Sequence, residues 1–166
     1  MMEIIEGKVF KIGDNINADY IIPARYLDLY EPEDLGRHAL AGLGEEYPKM
    51  LKDYRVIVSG ENLGLGSARE QAPNALKGVG IRAIVAKSFA RIFYRNTLNV
   101  GLAAIECSEA AEALKHGEDV SIDLEKGIIR SRGRAYHFTS FSDQIMRLLN
   151  AGGMIPFLKR ELKIND

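Results

Sequence analysis

The 166-residue chain is 46% hydrophobic and 27% charged, and its 22 lysines and arginines nearly balance 23 aspartates and glutamates, for a net charge of −1. That length builds a domain with a real core, and the charge balance gives no support for a surface that binds nucleic acid or an anionic membrane. No stretch approaches the roughly 18 apolar residues of a membrane span, and residues 1–6 lack the basic-then-apolar pattern of a secretory leader.

The single cysteine, Cys107, can form no internal disulfide and cannot ligate an iron–sulfur cluster unaided, which points to a reducing cytoplasm. His38, His116 and His137 are scattered at no metal-ligand spacing, so no metal site is expected.

Residues 4–12 alternate loosely and read as a strand, closed by Gly13-Asp14-Asn15. A short apolar run, Tyr20-Ile21-Ile22, stops at Pro23, and residues 26–33 read as a loop with turn chemistry around Pro32. Residues 33–43 have helical apolar spacing with acids at the start. Residues 55–58 are a buried-strand candidate, followed by a glycine-punctuated loop and a helix running to about Lys77. That helix starts either after an N-cap at Ser67 or with Pro73 as its first residue.

Residues 81–86 form the next strand, Ser88 caps a helix to about Asn96, and residues 101–106 form a third core strand. This alternation predicts an α/β domain with a mostly parallel core. Residues 120–124, 127–130 and 134–138 read as antiparallel strands, with turns at Glu125-Lys126 and Arg132-Gly133. An amphipathic helix over 142–149 is broken by Gly152-Gly153 from a last helix over 156–162, with Pro156 in its first position. The whole chain, 1–166, is read as one domain with a β-rich C-terminal part.

Three segments carry chemistry. The first is Gly60-Glu61-Asn62-Leu63-Gly64-Leu65-Gly66-Ser67-Ala68-Arg69-Glu70. Gly60, Gly64 and Gly66 allow positive φ and exposed amide N–H groups, and a helix start beyond them adds partial positive charge. Ser67 stands where a hydroxyl gains stabilisation as an oxyanion, and Arg69 can grip a carboxylate with two parallel bonds. The plainer reading makes Ser67 an ordinary cap. No lysine precedes Ser67, so this is not a P-loop, and the glycine spacing misses the dinucleotide fingerprint.

The second segment runs from Gly13 to Pro23 and holds Asp19, followed by apolar residues. Asp19 reads either as a partly buried carboxylate in need of a partner or as a turn aspartate serving local N–H groups. The third is Lys87-Ser88-Phe89-Ala90-Arg91-Ile92-Phe93-Tyr94-Arg95-Asn96, with Phe89, Ile92 and Phe93 at core spacing and Arg91 and Arg95 sharing a face.

Together, in this order and spacing, the three segments resemble the small subunits of 3-isopropylmalate dehydratase and homoaconitase, the swivel domain of the aconitase superfamily. The resemblance spans essentially the whole chain, and the 60–73 and 87–96 motifs are specific as a pair. It implies a β/β/α swivel-type fold and a large partner subunit that carries a [4Fe–4S] cluster on three of its own cysteines, with no cofactor in this chain. It further implies that Ser67 is the base removing a carbon-bound proton, that Arg69 and the Ala68 N–H meet a substrate carboxylate, and that Asp19 belongs to the active-site wall. Water would leave a 2-hydroxy diacid and return in the other regiochemistry through a cis-alkene diacid. The chain alone would be inactive, and self-association of the isolated chain stays open.

The chain departs from the family pattern at three places: Gly66-Ser67-Ala68-Arg69 where Gly-Ser-Ser-Arg is usual, Asn17-Ala18-Asp19 where Asp-Thr-Asp is usual, and Leu65 where a cysteine or glutamate is common. The resemblance places specificity in Ala24-Arg25-Tyr26-Leu27-Asp28-Leu29-Tyr30. Homoaconitase-like members tend to carry an arginine where Asp28 stands, and an anionic Asp28 repels a third carboxylate. Leu29 and Tyr30 offer apolar surface for an alkyl group, while Arg25 leaves a tricarboxylate open. The expected substrate is therefore an alkyl-substituted malate, 3-isopropylmalate first, with a dimethylmalate or homoaconitate as alternatives. A ligand-binding module without catalysis is the other class of reading, against which Ser67, Arg69 and Asp19 argue.

Overall fold

The computed structural model describes residues 4–67 and 69–165. Its strands are β1 (Ile5–Lys11), β2 (Val56–Ser59), β3 (Ala83–Ala86), β4 (Ala103–Glu106), β5 (Asp119–Asp123), β6 (Ile128–Ser131) and β7 (Arg134–His137). They form one sheet in the order β4-β3-β2-β1-β5-β6-β7. Strand β1 is the seam. Its later residues pair parallel with β2, with Val9 opposite Val56, while its earlier residues pair antiparallel with β5, with Ile5 opposite Ile122. The mostly parallel core and antiparallel C-terminal part expected from the alternation are both present.

Every residue of β2 and β3 is buried, because helices cover both faces of the parallel half. Side chains alternate accordingly. Phe10, Ile57 and Ile84 point to one layer, with Ile21 of α1 (Ala18–Ile21), Leu35 of α2 (Pro32–Gly36), Leu76 of α4 (Gln71–Gly78) and Phe93 of α5 (Arg91–Asn99). Val9, Val56, Val58 and Val85 point to the other, with Leu98 of α5, Ala110 of α6 (Ser108–Ala113) and Leu149 of α7 (Asp143–Ala151). Helix α3 (Tyr47–Met50) packs Tyr47 on the first layer, and α8 (Met154–Glu161) has no buried residue.

Four local expectations are corrected. The helix over 33–43 is only α2, followed by turns, because the Leu40 and Gly42 N–H groups donate to the Ile21 and Tyr20 carbonyls of α1 at 2.8 and 3.1 Å. Leu35, Ala39 and Leu40 are still buried, so the apolar spacing is met by turns. Helix α4 begins at Gln71 and α8 at Met154, which puts Pro73 and Pro156 third in their helices; their missing N–H lies among the first-turn donors that have no intrahelical partner. Helix α5 follows Ala90, and Ser88 Oγ accepts the Asn62 N–H at 2.9 Å instead of capping it. Helix α6 was not expected; six residues are too few to show a period.

Candidate active site

The three chemistry-bearing segments leave the carboxyl ends of β1, β2 and β3, which are neighbours in the sheet. In open α/β sheets that end is where ligands bind. Beyond the strands the segments go on pairing. The Lys87 N–H donates to the Gly60 carbonyl at 3.0 Å, and the Gly60 N–H to the Gly13 carbonyl at 3.3 Å. Parallel bridges then join Asn17 to Leu65 and Leu63 to Phe89. The 60–66 loop is held as an extra strand between its two neighbours.

This changes what the glycine loop offers. The N–H groups of Gly60, Glu61, Asn62, Leu63 and Gly64 all donate inside the protein, to the Gly13 carbonyl, Asp14 Oδ1, Ser88 Oγ, the Ser88 carbonyl and the Ile16 carbonyl. They are not open to a ligand, contrary to the expectation from the glycines alone. The Leu65 N–H faces the Ile16 carbonyl across the Asn17–Leu65 bridge, and the Gly66 and Ser67 N–H groups donate to nothing among the described residues, so the free donors gather at the loop's end. Gly64, at φ +89, lies against Phe93 where a Cβ would collide, and Gly66 is at φ +92. Close approach and left-handed backbone together require glycine at both.

Ser67 is exposed and lies three residues before Glu70, the cap position of α4, which receives no side-chain cap bond. The ordinary-cap reading of Ser67 is therefore overturned, as is its placement at a helix start. Ser67, Arg69, Gly64 and Gly66 line one cavity of about 220 Å³ with Ala90, Arg91, Ile92 and Phe93. Ala68 lies outside the described residues.

Asp19 sits in the first turn of α1 and is 54% exposed, so the partly buried reading is corrected; its partner is Arg69, whose Nη1 lies 2.7 Å from Asp19 Oδ1. Arg69 is only 16% exposed. The N–H directions of Nη1 miss the carboxylate, leaving this buried atom without an aligned hydrogen-bond acceptor among the described residues. The contact is a close charge pair, and donors of the fork stay available to a second carboxylate. The local N–H-accepting role considered for Asp19 is filled by Asn17, whose Oδ1 accepts the Asp19 N–H at 2.9 Å. Sequence reasoning missed Asn17, although an asparagine just before a short apolar run is a cap signal. Ala18 is buried in the core, so that departure alters packing rather than the open face.

The 24–29 segment begins with a 3-10 turn, Ala24–Tyr26. Gln71 Nε2 donates to the Leu27 carbonyl at 3.4 Å, tying the segment to the start of α4 just beyond Arg69. Arg25 is exposed and places its guanidinium 4.7 Å from the Tyr26 ring centroid, while His38 stacks on Tyr26 at 3.7 Å. Burial, then the charges of Arg25 and Arg37, hold the His38 imidazole below its ordinary pKa against an opposing pull from Asp34. Tyr26, Leu27 and Leu29 rest partly on the core, Asp28 is exposed, and Tyr30 is the most open apolar residue of the segment. In the third segment Phe93 is buried, but Ile92, expected at core spacing, is exposed beside Ser67's cavity, as is Arg91.

An iron–sulfur cluster does not fit the donor set of this chain. Among the described residues no three of His, Cys, Asp and Glu group together as a metal site, and Cys107 is buried beside the His137 carbonyl. Among the same residues, no helix is long and apolar enough to cross a membrane.

Comparison with known proteins places the chain among relatives of one family. Residues 4–110 match the aconitase C-terminal domain family. The 3-isopropylmalate dehydratase small subunit of Nautilia profundicola is 46% identical over 166 residues, covering 99% of each chain. The isopropylmalate/citramalate isomerase small subunit of Methanocaldococcus jannaschii is 43% identical over 164 residues, covering 98% of each. A crystal structure of 3-isopropylmalate dehydratase from that organism superposes with a TM-score of 0.89 at 43% identity, covering 98% of this chain and 97% of the other.

Proposed function

This chain belongs to the aconitase C-terminal domain family, among relatives named 3-isopropylmalate dehydratase small subunit, and on that premise we propose that it is the small subunit of a two-chain hydro-lyase interconverting 2- and 3-isopropylmalate, as in leucine biosynthesis. One observation carries the reading: exposed Ser67 shares a single cavity with Gly66 and Arg69, and the Gly66 and Ser67 amides donate to nothing among the described residues.

Arg69 anchors one substrate carboxylate. Ser67 takes the proton from the carbon next to the hydroxyl-bearing carbon, and the hydroxyl leaves as that carbon–oxygen bond breaks, giving the cis-alkene diacid. The proton then returns to the carbon that lost the hydroxyl, and hydroxide adds at the other. A serine is a weak base, and the Gly66 and Ser67 amides with Arg69 stabilise negative charge on its oxygen. Hydroxide is a poor leaving group, and a [4Fe–4S] cluster held by the large subunit would supply the Lewis acidity that its departure needs. Exposed Leu65 and Ile92 beside the site offer apolar surface for that subunit to cover.

The exposed carboxylate of Asp28 disfavours a third substrate carboxylate, which supports an alkyl malate. The name of the Methanocaldococcus relative adds citramalate, a smaller alkyl malate, as a second substrate. The test is turnover by the chain paired with its large subunit under anaerobic reconstitution, on isopropylmalate, citramalate, dimethylmalate, homoaconitate and citrate. Alkyl malates are expected to lead, with no turnover by this chain alone. Preferential turnover of a tricarboxylate overturns the substrate assignment, and binding without turnover of any of the five favours the non-catalytic module.

A further inference from the structure

We propose that Asn17 is a positioning residue that sets Ser67 and the Asp19–Arg69 pair in one geometry; the inference rests on the function proposed above and extends it to a residue outside the reacting set. Asn17 reaches both halves of the site. Its Oδ1 accepts the Asp19 N–H at 2.9 Å, which fixes the first turn of α1 and with it the carboxylate facing Arg69. Its side chain also packs on the turn that delivers Ser67: a Cβ on Gly66 would stand 2.6 Å from Asn17 Oδ1 and 2.8 Å from Nδ2. The backbones are joined at the same level, by the Asn17–Leu65 bridge and by the Ala18 N–H donating to the Leu65 carbonyl at 2.8 Å. The Gly64 N–H donates to the Ile16 carbonyl at 2.8 Å on the other side of Asn17.

No other described side chain caps α1 and abuts Gly66. A planar amide of this length does both. Aspartate has the same shape and the same acceptor oxygen, so the departure from the usual Asp-Thr-Asp pattern keeps the geometry while removing a negative charge from a site that must receive a dianion. Serine caps a helix about as well as asparagine but is too short to reach Gly66.

That difference separates positioning from simple capping. Asn17→Ala, Asn17→Ser and Asn17→Asp are assembled with the large subunit and assayed alongside wild type, and thermal unfolding is followed on each small subunit. Asn17→Ala is expected to lower both Tm and kcat, the latter more than tenfold. Asn17→Ser is expected to regain Tm but not kcat, and Asn17→Asp to regain both, to within threefold of wild-type kcat. A fully active Asn17→Ser, or an Asn17→Ala within threefold of wild type, overturns the proposal.

Amide hydrogen exchange on the isolated chain reads the same contact without turnover. Asn17→Ser is expected to protect the Asp19 amide while the Ala18 and Gly64 amides exchange faster than in wild type. Unchanged protection of those two amides in Asn17→Ala overturns the proposal even where the wild-type pair proves inactive, an outcome that by itself counts against the function and not against Asn17.

Discussion

On the parallel half of the sheet, Ser67 and Asp19 are exposed and Arg69 is held at 16% exposure; on the antiparallel half, Ser131 and Glu118 are buried and Arg132 is 69% exposed. Both regions combine a serine, an arginine and a carboxylate, with burial inverted. A buried carboxylate must find its partners inside the protein. Glu118 finds Ser131 Oγ at 2.8 Å and Arg132 Nε at 3.3 Å, and Ser131 Oγ also lies 2.7 Å from the Asp119 carbonyl. That set closes on itself and locks β5 to β6. The other anchors the arginine and leaves the serine and two amides, those of Gly66 and Ser67, without a partner among the described residues. A cavity of about 580 Å³ lies over the Ser131–Arg132 hairpin, against about 220 Å³ at Ser67, so size does not mark the site; unused hydrogen-bonding capacity does.

The contrast can be broken by substitution. The largest effect is expected from Ser67→Ala in the assembled pair: a loss of about 10³-fold in kcat, typical of removing a general base, with assembly intact by gel filtration. A rate near wild type would reduce Ser67 to a bystander. Next is Arg69→Lys, which keeps the charge but loses the planar fork. One charge-assisted contact is worth about 2 kcal/mol, or roughly thirtyfold, and the loss is expected in KM more than in kcat; a kcat loss with unchanged KM would remove Arg69 from substrate binding. The smallest is Ser131→Ala, which leaves Glu118 short of a donor and is expected to cost about 1–2 kcal/mol of stability in urea unfolding with kcat unchanged. A drop in kcat like that of Ser67→Ala would show that the two sets are coupled.

Much of the fold was legible because buried strands and their glycine-rich breaks are local signals. All seven strands fall within a residue or two of where apolar runs and turn residues put them. The failures were tertiary. Leu40 and Gly42 give their N–H groups to α1 rather than to a continuing helix, and Ser88 serves Asn62 across the loop rather than its own helix. The site was legible as residue types, through the Gly66-Ser67 and Arg69 pattern, but its electrostatics were not. Glycines suggested a row of open amides, and five of these are spent on neighbouring segments. Ile92 keeps a core-like spacing on α5 yet faces Ser67's cavity, because periodicity reports a helix face and not what lies opposite it.

Sequence alone determined the strand and helix alternation, the mixed parallel and antiparallel sheet that follows from it, and the family that residues 60–73 and 87–96 mark. Only the tertiary structure decided that Asp19 pairs with Arg69, that Ser67 caps nothing among the described residues, that the free donors lie at Gly66 and Ser67, and that Asn17 spans both halves of the site. The physical reason is one of range. Propensity and patterning act between residues a few positions apart, whereas the fate of each loop amide depends on sheet register, which brings residues 13–19, 60–69 and 87–91 side by side at the ends of adjacent strands.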